Sequence, residues 1–138
     1  MPDAILPPMD LKQAVVTSVG EVATSFVQLL RSLPQLRGTD DLAVTPGCIL
    51  WRGLSVEGVA ALRDLHAEGT VFFWLCSPTI YTVTGNAPFL GLMSSARRPD
   101  ENVWLPTLIS YRPQTADESR KAAREYAAEL RRYSIAGF

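Results

Sequence analysis

Residues 54–85 read LSVEGVAALRDLHAEGTVFFWLCSPTIYTVTG, and the fold turns on how this stretch is read. Ser55 is placed as a helix N-cap, with Leu54 before it and Val59 after it at the hydrophobic-staple positions. Val59, Leu62 and Leu65 make the buried stripe of the helix. Gly69 stands where a left-handed C-terminal cap belongs. The run Val71–Cys76 is rich in β-formers, Ser77-Pro78 turns the chain, and Thr79–Thr84 brings it back to Gly85-Asn86. The pattern predicts a capped helix leading into an antiparallel hairpin over 71–84.

Upstream, residues 1–9 contain Pro2, Pro7 and Pro8 and are read as an extended segment. Asp10 with Gln13 reads as a capping box. Leu11, Val15, Val19, Val22, Phe26, Leu30 and Leu33 recur at helical spacing until Pro34 stops them. Gly20 weakens a helix interior by about 1 kcal/mol relative to Ala. A second box, Ser25-x-x-Gln28, follows it. Two helices with a break near 20–24 are therefore preferred over one long helix. Residues 34–47 read as a loop with a turn at Thr45-Pro46-Gly47, and Cys48–Arg52 as a short strand.

Downstream, most of 86–101 reads as loop. A strand candidate over 103–111 is interrupted by Pro106. Thr115-x-x-Glu118 opens a helix over 115–133, with acids at its start, Arg131 and Arg132 near its end, and Tyr126, Leu130 and Tyr133 on its apolar face. Residues 10–138 are read as one domain.

The pattern Leu54-Ser55 … Leu62-x-x-Leu65-x-x-x-Gly69-x-Val71, followed by Tyr81-x-Val83-x-Gly85, resembles the third helix and wing of winged helix-turn-helix domains. The resemblance covers roughly residues 10–85 and makes the helices at 11–20 and 25–33 the first two. It implies an α+β, winged-helix-like domain with a β-hairpin wing and a long C-terminal helix. It also implies DNA binding, commonly in a bacterial transcription regulator, with residues 115–133 as the arm of a homodimer. The alternative architecture is helices packed on a small, mostly antiparallel sheet.

Composition narrows the classes. The 138 residues carry 13 Lys+Arg and 14 Asp+Glu, for a net charge of −1, with 47% apolar and 20% charged residues. That balance excludes a disordered tail and a polybasic nucleic-acid coat. The charge is uneven: residues 1–69 sum to −3 and residues 70–138 to +2. The only cysteines, Cys48 and Cys76, and the single histidine, His66, are too few and too scattered for a disulfide scaffold or a zinc site. They are read as two buried reduced thiols and a surface or capping histidine, with no metal and no cofactor. No apolar run is long enough to span a bilayer, and the Met1-Pro2-Asp3-Ala4 start lacks the basic region of a secretory signal. A cytoplasmic protein without membrane contact is expected.

Two functional readings follow. The first is DNA binding, in transcription regulation or DNA transactions. The outer face of the helix after Ser55 carries Glu57, Ala60, Arg63, Asp64 and Ala67, and the hairpin stretch has no basic residue. Base and phosphate contacts need positive charge, so they are assigned to Arg31, Arg37, Arg52, Arg63, Arg97 and Arg98. The second reading is a non-enzymatic protein-interaction module, an adaptor or complex subunit. Its interface would be Phe72, Trp74, Tyr126, Leu130 and Tyr133. Cys76-Ser77 lacks the strand–turn–helix elbow and positioned base of a nucleophile, and an enzyme is not expected.

Overall fold

In the computed structural model the residues described are 10–20, 22–88, 90–94 and 101–135, with side chains to residue 132. The chain is α+β. In order it forms α1 (Leu11–Ser18), α2 (Phe26–Ser32), a 3-10 turn (Pro34–Leu36), β1 (Arg37–Thr45), β2 (Cys48–Leu54) and α3 (Val56–Ala67). Then come β3 (Phe72–Leu75), α4 (Thr79–Thr82), β4 (Gly91–Leu92), β5 (Val103–Trp104), β6 (Thr107–Ser110) and α5 (Ala116–Ile135).

The N-terminal stripe is broken into two helices. The Ser25–Gln28 capping box is formed in both directions: the Gln28 N–H donates to Ser25 Oγ, and the Ser25 N–H donates to Gln28 Oε1. Asp10 is the N-cap of α1, but its side chain makes no capping bond, which corrects the box expected there. Between the helices, Thr24 exchanges backbone hydrogen bonds with Ile109 of β6. The break thus satisfies its polar groups against a strand.

Residues 37–45 are a strand, not a loop. The turn at Pro46-Gly47, with Gly47 at φ 82°, returns the chain onto β2. β1 and β2 pair antiparallel with register shifts along β1. β1 is exposed almost throughout, so its sequence has no alternation to reveal it. Gly38 crosses beneath the start of α3, where a Cβ would lie 2.5 Å from the Ser55 Cα.

A four-stranded sheet has the order β1-β2-β5-β4, with β2, β5 and β4 parallel. A second sheet pairs β3 with β6 antiparallel. The larger sheet is therefore mixed and the smaller one antiparallel. Pro106 falls between β5 and β6, so the strand candidate over 103–111 is split between the two sheets.

Residues 71–84 do not form a hairpin. β3 takes β6 as its partner, and Thr79–Thr82 is a helical turn. Pro78 already has helical angles, φ −60° and ψ −20°, and the Thr79 N–H donates to Ser77 Oγ. These local bonds start a helix where the β-branched run suggested a strand.

The core is one cluster drawn from both sheets and all the helices except α5. At its centre Phe26 stacks on Trp51 with ring centroids 5.5 Å apart, and on Phe73 at 6.3 Å. Tyr81 packs against Trp51 at 4.8 Å and edge-on to Trp104 at 5.8 Å. α3 is capped as expected, the Gly58 N–H donating to Ser55 Oγ, and Gly69 sits at φ 74°. Cys48 and Cys76 are buried free thiols.

α5 opens on the expected box: the Thr115 N–H donates to Glu118 Oε1 and the Glu118 N–H to Thr115 Oγ1. Arg112 adds two bonds to the Glu118 carboxylate, each 3.0 Å. The Arg112 guanidinium, followed by the Thr115 N–H, lowers the Glu118 carboxyl from 4.5 to about 2. A lowered folded-state pKa favours the charged form, so its contribution is full above the unfolded value and fades as pH falls towards about 2. Glu118→Gln should flatten the loss of stability between pH 4.5 and about 2, read from urea midpoints. An acid limb identical to that of the unsubstituted protein would contradict this.

Candidate functional site

α4 is a single turn with two unlike sides. Tyr81 points inward, fully buried. Its hydroxyl accepts from the Phe26 N–H at 2.9 Å and donates to the Thr107 carbonyl at 2.8 Å. One side chain therefore ties α4 to the start of α2 and to β6. Burial raises its pKa, so the hydroxyl remains a donor at neutral pH. Below the turn, Thr84 Oγ1 donates to the Tyr81 carbonyl, Asn86 Nδ2 donates to Thr84 Oγ1, and Gly85 takes φ 72°.

The outward side carries Ile80, 43% exposed, and Val83, 72% exposed. Clefts open on both flanks of this apolar ridge, and Ile80 lines both. The first, roughly 510 Å³, lies between α4 and α5 and is completed by Val83, Ala128, Glu125 and Glu129. The second, roughly 430 Å³, lies towards α2 and β6, with Val27 and Leu108 among its apolar lining and Gln28, Arg31 and Asn86 among its polar lining. Glu129 is tied to Arg132, whereas Glu125 and Arg31 have no ion-pair partner among the described residues. The ridge is apolar, with Glu125 on one side and Arg31 on the other, each without an ion pair among the described residues.

The residues assigned to DNA do not converge on this surface. Arg31 borders the second cleft. Arg37 opens β1, exposed, and Arg63 lies on the outer face of α3 beside exposed Glu57 and Asp64. Arg52 is bound through two nitrogens to the carboxylate of Asp41, at 3.1 and 3.2 Å. Arg97 and Arg98 lie outside the described residues.

Of the residues assigned to a protein interface, Trp74 and Tyr126 make hydrogen bonds within the chain. Trp74 is buried, its Nε1 donating to the Arg112 carbonyl and its ring covered by the Arg112 guanidinium at 4.3 Å. Tyr126 donates its hydroxyl to the Met93 carbonyl. Phe72 and Leu130 are half-buried, and the side chain of Tyr133 is outside the described residues. Ile80 and Val83 were missed because the strand reading placed them in a hairpin. Their spacing of three was the available signal for one helical face.

Burial, with the Glu125 charge adding to it, pushes the Cys76 thiol up to about 12, so it stays protonated and weakly nucleophilic at neutral pH. The His66 ring lies against Phe73 at 4.8 Å. Among the described residues no three metal-ligating side chains are grouped, and no helix is long and apolar enough to cross a membrane.

Compared with known proteins, the chain matches no family model, no curated protein and no solved structure.

Proposed function

We propose that this chain is a non-enzymatic protein-interaction module that docks through the α4 ridge. The observation that carries the reading is the exposure of Ile80 and Val83 on a turn whose other side is locked by Tyr81. The turn is held in place by buried bonds, yet leaves two aliphatic side chains in water between two clefts. Covering both would yield on the order of 2–3 kcal/mol, and rigid presentation lowers the ordering cost of an interface. The large aromatics of β3 supply no comparable surface, since Trp74 is already covered.

DNA binding has less to rest on. Arg52 is occupied by Asp41, and the outer face of α3 carries the acids Glu57 and Asp64 as well as Arg63. The winged-helix relation retains α3 and its Gly69 tail but has no hairpin wing behind it.

A photo-reactive residue in place of Val83, irradiated in cells making the chain, tests the reading. Adducts with a protein identified by mass spectrometry are expected from position 83 and not from position 57 on α3. No protein adduct at 83, together with duplex-DNA binding that falls steeply with salt, would replace this reading with the DNA one.

A further inference from the structure

We infer that the partner of the α4 ridge is a second copy of this chain, paired about a two-fold axis parallel to α4; the inference rests on the interaction reading above. Three features run in order across the surface. Glu125 stands on the α5 side, Ile80 and Val83 form the ridge, and Arg31 stands on the α2 side. A two-fold axis lying in the contact plane along the ridge exchanges the two flanks. It sets Glu125 of each copy against the partner's Arg31, which gives two ion pairs across the seam. The same operation lays the ridge of one copy along the ridge of the other, so Ile80 and Val83 of both copies are covered together. A patch complementary to itself in this way is what a closed, isologous dimer requires.

The other surfaces available for self-pairing are less suitable. The expected dimer arm, α5, turns Ala122 and Tyr126 into its own chain. The open edge of the larger sheet, β1, exposes Asp40 and Asp41 and is broken by register shifts, both of which discourage strand addition.

Sedimentation equilibrium on the full chain tests the inference, with circular dichroism confirming that each variant is folded. The unsubstituted chain should form a dimer in a concentration-dependent way. Arg31→Glu and Glu125→Arg should each weaken the dimer about tenfold or more, since each places like charges together at both contacts. The double variant, which swaps the charges, should recover most of that loss. Three results would overturn the inference: a monomer at every concentration, a dimer indifferent to both single variants, or a double variant weaker than either single. A monomer whose position 83 still cross-links to a different protein would remove the second copy and leave the interaction reading in place. A monomer with no adduct at position 83 would remove both.

Discussion

Tyr81→Phe should lower stability by about 2–4 kcal/mol, because two buried backbone groups each lose their partner. The Phe26 N–H loses its acceptor and the Thr107 carbonyl loses its donor. The ring is retained, so packing against Trp51 and Trp104 is little changed and the effect isolates the hydroxyl. For a chain of this size the melting temperature should fall by roughly 7–14 °C. The hydroxyl also sets an alkaline limit. Its folded-state pKa is raised above the ordinary value of 10.0, so its contribution is complete below that value and declines as pH rises beyond it. The variant should lack that alkaline decline. A fall in melting temperature of only a degree or two would show that α4 is held by something other than this bridge.

Phe26→Ala should be larger still, about 3–5 kcal/mol, as for other aromatic truncations in a packed core. Phe26 is fully buried between Trp51 of β2 and Phe73 of β3, so it joins the two sheets. Ala keeps the backbone N–H that donates to Tyr81, which separates loss of packing from loss of the hydroxyl bridge. The urea midpoint should drop with little change in slope. A loss below about 1 kcal/mol would mean that the neighbouring rings close over the gap, contrary to the close packing seen around this residue.

Both substitutions act on contacts that no local pattern announces. Tyr81 meets Phe26 across 55 positions and Thr107 across 26. The parts of the fold that were legible are those set by chemistry within one turn: the Ser25–Gln28 and Thr115–Glu118 boxes, the Ser55 cap and the left-handed Gly69. The Asp10 cap was the exception. Its residue type fits an N-cap, but its carboxylate accepts no capping bond.

What was not legible depended on partners distant in sequence. Arg37–Thr45 is polar and exposed and becomes a strand by lying against β2. The TIYTVT run alternates as a strand would, yet β3 already has β6 beside it, and the Ser77 hydroxyl and Pro78 begin a helical turn. The candidate site inherited that error. Once residues 79–82 are helical, Ile80 and Val83 fall on one face and Tyr81 on another, and the apolar ridge emerges. The interface residues Phe72, Trp74, Tyr126, Leu130 and Tyr133 are read from strand alternation and from the apolar face of the last helix. Trp74 and Tyr126 each carry a polar handle, and it has a partner inside the chain.

The most direct test of self-pairing through the ridge is a dilution series followed by methyl NMR on the isotope-labelled chain. Ile80 and Val83 lie on the ridge, whereas the exposed Val44 and Val56 lie on β1 and α3 and serve as internal references. With pairing through the ridge, the Ile80 and Val83 methyl signals move with concentration while those of Val44 and Val56 stay fixed. Movement of Val44 or Val56 with the ridge signals unchanged, or no movement anywhere, would rule out this pairing.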